Sequence, residues 1–439
     1  EAEQAMDSAD PLRRLEADDG SRSALWVAAA AATLLLLVLF QPLADGRMRL
    51  HDDLGAFHLP FKHFFAECLR NGDSPLWCPH VLCGFYLHGM GEAGLCHPAH
   101  WLLYGGFPFR IAFPLEAALA YPLMLAGAFW LFRRWGLGRP AALLGACFWA
   151  FAGYGLVNQP HINHLLVIGH LPWLLAALHA ATLGATRGAR LAGWLGVTLL
   201  TASHALLHQP QMLFLSCLAE AVCLLAYGQA VGRSGRAILG WVGAKALAAC
   251  LAGVQLVPSL FYAEDSVRVA ADPAFRSSFS LHPLNLVQFV APYALAGRTY
   301  AAGDDVCAPH EFASYSGAVA VVLLAWLALR ARAIQAQVPR RIRFLLPALL
   351  ALGGLSLALA LGRYAWIYDQ IAALPGLRWF RCPARFVLLV NVAFACLAAF
   401  ALDDLFRLRP AAAPTPGRLR LLIAPLALSA IVTLALRIA

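Results

Sequence analysis

Residues 344–362 read FLLPALLALGGLSLALALG, a run without a charged side chain. A helix rises about 1.5 Å per residue, so a run of this length crosses most of the roughly 30 Å hydrocarbon core of a bilayer. Apolar runs of similar length recur along the whole chain. The sequence therefore predicts an all-α polytopic membrane protein.

The composition of the chain favours the same class. Of its 439 residues, 61% are hydrophobic and only 13% are charged, and the mean hydropathy is +0.66. An average soluble domain carries about 25% charged residues, so a soluble globular protein is excluded. The net charge of +9 does not indicate nucleic acid, because the basic residues are spread over short loops between the apolar runs.

The apolar runs predict about 11 transmembrane helices. A polar tail, residues 1–23, precedes them; residues 24–405 form one membrane domain, and residues 406–439 hold a linker and the last helix. The predicted spans are 24–43, 111–132, 140–157, 164–183, 191–207, 212–231, 237–257, 313–329, 344–362, 386–402 and 421–438.

The arginine-bearing short loops indicate how these helices are oriented. If the spans alternate in direction, all of these loops and the N-terminal tail fall on one side. Basic residues concentrate in cytoplasmic loops, so this side is predicted to be cytoplasmic. The long, acid-containing loops then lie outside the membrane; they are 44–110, 258–312 and 363–385.

The first outer loop carries the clearest chemical signal. Between residues 51 and 100 it holds the adjacent acids Asp52 and Asp53, the separate acid Glu92, and many histidines and aromatic residues. Apolar residues between 57 and 69 predict an amphipathic helix along the membrane surface. A partly shielded carboxylate at the interface suits a general base, so the three acids are catalytic candidates. The alternative is a set of solvated loop acids or a helix N-cap.

A second candidate site lies just before the span 386–402. Arg378, Arg381 and Arg385 stand in an outer loop, against the usual preference of basic residues for the cytoplasmic side. Guanidinium groups donate paired N–H bonds that match phosphate oxygens, so these arginines are candidates for holding a lipid-linked phosphate. Arg268 is a weaker candidate for the same role. The alternative is anchoring to lipid headgroups.

The remaining candidate residues are two ionisable residues within predicted spans, one tryptophan and two histidines. Glu220 and Lys245 fall within predicted spans at similar depths, and we interpret them as a structural ion pair. Trp77 is expected to anchor the first loop at the interface. His161, His208 and Trp77 are predicted to line an outer cavity.

No metal site is assigned. A zinc site has weak support, because its four candidate ligands have a C-x4-C spacing without a second knuckle. The candidates are Cys78, His80, Cys83 and His97. No cofactor is expected from the sequence, with a divalent cation left open.

Several motifs together carry a family resemblance. DLGAFHLPF (53–61), GDSPLWCPHVLCGFYLHG (72–89) and CHPAHWLLY (96–104) resemble the first outer loop of bacterial YfhO-like membrane proteins. That loop is typically an Asp, a Pro seven residues on, a PLWNP step and a YP step. Six later landmarks follow in order: HINHLLVIGHLPWL, SHALLHQPQ, VQLVPSLFYAEDSVR, LHPLNLVQFVAPY, YSGAVAV and LPGLRWFRCPARFVLL. The resemblance covers residues 25–405.

The resemblance implies a glycosyltransferase of the C-type fold in the bacterial inner membrane. Such an enzyme moves a sugar from a polyprenyl-phosphate carrier to an extracytoplasmic glycan, lipid or protein. The first-loop acid of the family corresponds to Asp53, with Asp52 beside it. Cys78 replaces the Asn of PLWNP and His97 replaces the aromatic residue of the YP step.

Two other classes of function remain open from the sequence. A transporter or flippase for a lipid-linked or small solute needs polar groups at mid-depth, and Glu220 and Lys245 are its only support. Such transporters usually contain inverted repeats, and the sequence shows none. A non-catalytic assembly partner is the third class, and it predicts that Asp52 and Asp53 can be replaced without loss.

Overall fold

The computed structural model describes residues 52–266, 272–291, 295, 300, 309–372, 374 and 377–408, and the helical positions Ala29, Thr33, Leu36 and Gln41. The tail 1–23, the predicted span 421–438 and Arg268 lie outside the described residues, as does most of the predicted span 24–43. The described chain is helical, and its one β-type contact is a bridge between Cys78 and Phe85.

The first outer loop folds into short helices. A π-helical turn, Leu54–His58, leads directly into α1 (Leu59–Asn71), followed by α2 (Leu87–Met90) and α3 (Pro98–Gly106). Pro60 falls in the first turn of α1, where its missing N–H costs no hydrogen bond, and Gly72 ends the helix with a positive φ. The predicted helix is confirmed, and its buried face packs on the protein core, whereas its position along a membrane surface stays a prediction.

The rest of the described chain is a bundle of longer helices with short connecting ones. In chain order they are α4 (Phe109–Arg134), α5 (Arg139–Ala150), α6 (Gly153–Val157), α7 (Ile162–Leu183), α8 (Arg187–Leu206), α9 (Pro210–Ala230), α10 (Ser234–Leu251), α11 (Gly253–Glu264), α12 (Pro273–Ser277), α13 (Pro309–Phe312), α14 (Ala318–Gln337), α15 (Leu345–Ala360), α16 (Trp366–Ala372) and α17 (Val387–Arg407).

Six described helices are long and apolar enough to cross a membrane, and a seventh span arises if the bent pair α10 and α11 is taken as one. The six are Phe109–Arg134, Ile162–Leu183, Pro210–Ala230, Ala318–Gln337, Arg340–Ala360 and Pro383–Arg407. Each overlaps a predicted span. The chain therefore has the architecture of a multi-pass helical membrane protein, whereas the count of 11 stays a prediction.

Three predicted spans take a different form. The span 140–157 is broken into α5 and α6, and the span 237–257 bends by 80° between α10 and α11. The first break follows from a close approach: the N–H of Gly153 donates to the carbonyl of Tyr315 at 2.6 Å, and a Cβ on Gly153 would lie 2.8 Å from that oxygen. The span 191–207 corresponds to α8, which is not among the six.

Helix α17 forms the centre of the bundle. It packs against α5, α14 and α15 and is buried along almost its whole length. Its last turn carries two acids with protein partners: Asp403 accepts from the N–H of Gly138 at 2.7 Å, and Asp404 accepts from Arg330 Nε at 2.7 Å. Buried carboxylates of this kind need such donors, and here they tie the end of α17 to the start of α5 and to α14.

The connections between helices gather at two ends of the bundle. At one end, which we call the basic end, the α4–α5, α7–α8 and α9–α10 connections and the turn Arg340–Ile342 carry arginines. Arg407 Nη2 donates to the carbonyl of Gly136 there at 3.3 Å. The first outer loop, α13 and the segment before α17 meet at the opposite end, which we call the acidic end. This division agrees with the alternation predicted from the arginines.

The predicted ion pair between α9 and α10 is confirmed. Lys245 Nζ lies 2.7 Å from Glu220 Oε1 and 2.7 Å from Thr201 Oγ1. The second oxygen of Glu220 accepts from Trp241 Nε1 at 2.9 Å. Each charge is thus matched by polar side chains of the neighbouring helices α8, α9 and α10, as a structural ion pair requires.

A second buried ion pair fixes the first outer loop on the bundle. Lys62 of α1 and Glu116 of α4 are each only 2% exposed, and Lys62 Nζ lies 2.7 Å from Glu116 Oε1. His100 Nε2 lies 3.2 Å from the same oxygen, and the Tyr104 hydroxyl donates to the other. Burial lowers the pKa of Lys62 and Glu116 opposes that shift. The network joins α1 and α3 to the first described span.

Replacing Lys62 by Met is expected to destabilise the protein by about 3–5 kcal/mol, because it leaves the Glu116 charge buried without its cation. The exposed pair of Arg70 and Glu67 provides the matched control, since Arg70→Gln removes an ion pair worth about 0–1 kcal/mol. Thermal unfolding in detergent measures both. Equal unfolding temperatures for the two variants contradict the structural role of the buried pair.

Candidate functional site

The two adjacent acids of the first outer loop diverge from one another at the start of the π-helical turn. Asp52 has a φ of +53°, a left-handed conformation that Asp tolerates better than most residues. Its carbonyl accepts from the N–H groups of Gly55 and Ala56 at 3.2 and 3.1 Å, which begins the helical turn. This geometry directs the Asp52 and Asp53 carboxylates to two different histidines.

Asp53 pairs with His161, at the start of α7. Its Oδ2 lies 3.1 Å from His161 Nε2; the Asp53 side chain is 51% exposed, whereas His161 is buried. The hydrogen bond from His161 lowers the pKa of Asp53, against a smaller effect of burial. Asp53 is therefore a carboxylate at neutral pH, held by one histidine and open to solvent on its other side.

Asp52 faces His310 of α13. Their Oδ2 and Nδ1 atoms are 3.5 Å apart. The His310 ring also lies against His161, with ring centroids 4.7 Å apart, and His161 stacks on His164 at 4.8 Å. Asn158, at the end of α6, donates to the His310 carbonyl at 2.7 Å and holds α13 in place. Three imidazoles and two carboxylates thus share one surface.

Directly beyond His310, Glu311 joins this surface to the arginine segment before α17. Glu311 Oε1 accepts from Arg385 Nη2 at 2.6 Å and from Nε at 2.9 Å. Burial raises the pKa of Glu311, and Arg385 more than offsets this, so the net pKa is lowered. Gln211 Oε1 accepts from Arg385 Nη1 at 2.9 Å. The guanidinium of Arg385 is therefore already matched by a carboxylate and an amide.

Arg381 has different surroundings from Arg385. Its guanidinium lies over the rings of Phe275 and Phe279 at 5.6 and 5.5 Å, and no carboxylate of the described residues pairs with it. The Arg381 carbonyl accepts from Gln211 Nε2 at 2.7 Å, which links it to the Arg385 network. Of the two predicted phosphate ligands whose side chains the structure describes, Arg381 is the one with donors that no carboxylate uses. The Arg378 side chain and Arg268 lie outside the described part of the chain.

Glu92, the third predicted acid, reaches the same end of the bundle. Its Oε2 accepts from Asn163 Nδ2 at 3.4 Å, and Asn163 lies in the first turn of α7 beside His161. The structure thus brings Glu92 to the start of α7. Its catalytic role stays a prediction.

Two cavities stand out, and neither contains a predicted site residue. One, of about 610 Å³, is lined by Arg70 and residues 105–110; the other, of about 250 Å³, lies at the basic end. His161, His208 and Trp77 line neither. His208 packs its ring on Gly91, and Trp77 packs on Gly84, so both act in loop packing.

No group of three or more His, Cys, Asp or Glu side chains in the described residues has the geometry of a metal site. Among the weak zinc candidates, His97 Nε2 instead bonds the Ser203 hydroxyl at 2.8 Å, and Cys83 is exposed while Cys78 is buried.

Several residues of this site were not predicted from the sequence. His58, His310, Glu311 and Gln211 come from three separate segments, and their roles depend on contacts far apart in the chain. The sequence did offer one signal for part of this site. His310 and Glu311 are adjacent in an outer loop, and this combination of a histidine and an acid resembles the composition of the segment around Asp52 and Asp53.

Comparisons with protein-family models, with curated proteins and with solved structures find no match in any of the three. The resemblance to YfhO-like proteins therefore rests on the motifs alone. The class that the structure defines is a multi-pass helical membrane protein with an acid–imidazole cluster at one end.

Acid should destabilise the protein through His58. Burial, followed by the nearby Lys62 charge, lowers the pKa of His58 to about 3 from 6.5. Between pH 6.5 and 3 the unfolded chain binds a proton that the folded protein does not, so stability falls as pH decreases, by roughly 5 kcal/mol in total. His58→Gln should flatten the pH dependence of the unfolding temperature. His80→Gln, at an exposed histidine, should leave it unchanged, and equal slopes in all three proteins contradict the assignment.

Proposed function

We propose that this protein is a membrane glycosyltransferase that moves a sugar from a polyprenyl-phosphate carrier to an extracytoplasmic acceptor. The observation that carries the proposal is the Asp53 carboxylate, held at 3.1 Å by His161 and half-exposed at the end of the bundle. Arg381 lies in the segment that Gln211 and Arg385 join to the same cluster. A base and a phosphate-binding cation are the two groups that such a transfer needs.

Asp53 is proposed as the general base. A carboxylate with a lowered pKa is a weak base, so it accepts the proton of the acceptor hydroxyl while the new bond forms and that proton becomes acidic. His161 positions Asp53 by its N–H donor and leaves the second carboxylate oxygen for the acceptor. Asp52, held by His310, is the alternative base in the same cluster.

Arg381 is proposed to bind the carrier phosphate. In the displacement, the acceptor oxygen attacks the anomeric carbon and the bond from that carbon to the phosphate oxygen breaks, with its electron pair remaining on the phosphate. The guanidinium of Arg381 stabilises that charge, since its N–H donors are not used by a carboxylate. Arg385 supports the segment through Glu311 rather than binding phosphate directly.

The proposed enzyme works in a bacterial inner membrane, with the basic end in the cytoplasm and the acidic end outside. Its partners are then the lipid-linked donor, membrane lipid and a glycan, lipid or protein acceptor, with no nucleic acid. We do not propose a transporter. Glu220 and Lys245 were its only support, and they bind each other, Thr201 and Trp241.

Asp53→Asn is expected to lower sugar transfer at least about 100-fold, because it removes the base and keeps the side-chain shape. Purified protein in lipid is supplied with a panel of radiolabelled polyprenyl-phosphate sugars and a crude envelope extract as acceptor, and donor consumption is followed. Asp73→Asn, at an exposed acid of the same loop, is the matched control and should retain wild-type consumption. Arg381→Gln should weaken donor binding and also lower the turnover of bound donor, because Arg381 is proposed both to bind the phosphate and to stabilise the charge that develops on it.

The outcomes separate the alternatives. Donor consumption that is unaffected by Asp53→Asn moves the base to Asp52 or Glu92. Loss in Asp53→Asn and Asp73→Asn alike indicates a general effect of loop charge. If wild-type protein neither binds nor consumes any donor of the panel, the glycosyltransferase proposal is wrong.

A further inference from the structure

The smaller cavity, of about 250 Å³, lies at the basic end, away from the acid–imidazole cluster. Three arginines from separate segments line it: Arg190 from the first turn of α8, Arg233 from the α9–α10 connection, and Arg341 from the turn Arg340–Ile342. Thr182 and residues 183–185, at the end of α7, complete most of its wall. Arginines from three parts of the chain therefore line one space.

No carboxylate of the described residues pairs with these three arginines. Arg190 Nη1 donates to the carbonyls of Gly184 and Ala185 at 2.9 and 3.4 Å, which positions its guanidinium without neutralising it. Elsewhere at the same end, Arg330 pairs with Asp404 and Arg407 with Asp403. Like charges brought together cost free energy unless an anion lies between them. The cavity thus has the charge of an anion-binding site.

An apolar surface begins directly beside the cavity. Leu191, Leu195 and Leu199 follow Arg190 along α8 at helical spacing and are 69%, 53% and 52% exposed. At about 1.5 Å per residue the three side chains extend roughly 12 Å along the helix from the level of the arginines. A soluble anion gains nothing from such a surface, whereas an acyl chain buries apolar area against it.

We propose that Arg190, Arg233 and Arg341 bind the phosphate headgroup of an anionic membrane phospholipid, with an acyl chain along Leu191, Leu195 and Leu199. Basic pockets between transmembrane helices suit such headgroups because the charge of the lipid replaces the missing carboxylate. Arginine is the appropriate residue, since it stays charged at all relevant pH values and donates to two phosphate oxygens at once. This site does not depend on the proposed transferase activity.

The test uses the full-length protein in a neutral detergent, with lipid binding measured by native mass spectrometry. Phosphatidylglycerol and phosphatidylcholine of equal chain length are compared, along with inorganic phosphate and glycerol phosphate. Wild type should bind phosphatidylglycerol most tightly. Arg190→Gln, Arg233→Gln and Arg341→Gln should each lower its affinity roughly five-fold, the factor expected for one basic group near an anionic headgroup.

The matched control is Arg236→Gln, an exposed arginine of α10 at the same end that does not line the cavity, and it should retain wild-type affinity. Arg341→Lys keeps the charge and should bind better than Arg341→Gln, which separates charge from misfolding. Equal affinity for both lipids, or an equal loss in Arg236→Gln, overturns the proposal. Binding of glycerol phosphate as tight as that of phosphatidylglycerol replaces the lipid by a soluble phosphate.

Discussion

The buried salt bridge between Lys62 and Glu116 holds the first outer loop on the bundle. Both side chains are withdrawn from water, and the Glu116 carboxylate receives Lys62, His100 and the Tyr104 hydroxyl together. Moving the loop away would separate Lys62 from Glu116 and would also remove His100 and Tyr104 from the Glu116 carboxylate, at a cost of several kcal/mol. Asp53 lies nine residues before Lys62 on the same continuous helical segment, so anchoring Lys62 also anchors Asp53.

Once the loop is fixed, the acid–imidazole cluster follows from the meeting of separate segments. The start of α7 supplies His161, the short helix α13 supplies His310 and Glu311, and the segment before α17 supplies Arg385. The contacts of His161 and Glu311 satisfy polar groups that would otherwise be buried without a partner. The two ends of the bundle differ: the carboxylates and imidazoles of the cluster lie at one end, and the arginines of the short connections lie at the other.

The sequence predicts the membrane class and six of the spans well, because runs such as 344–362 are determined by composition. It does not predict the break at Gly153, since hydropathy carries no information on where a backbone from another segment approaches. It also does not predict the bend at Ala252. Of the site, Asp53 is found by local pattern and motif. Its partner His161 is predicted only as a cavity residue, and the pairing of Arg385 with Glu311 is missed, because both depend on contacts between segments far apart in the chain.

The claim that the Lys62–Glu116 pair positions the site is tested most directly by a cross-linking measurement. In a background with the native cysteines replaced by serine, Asp53→Cys and His161→Cys are joined by a short bifunctional thiol reagent. The cross-link should form readily, persist with Arg70→Gln, and be lost with Lys62→Met. A cross-link that forms equally in the Lys62→Met background contradicts the account, because Asp53 would then reach His161 without the buried ion pair.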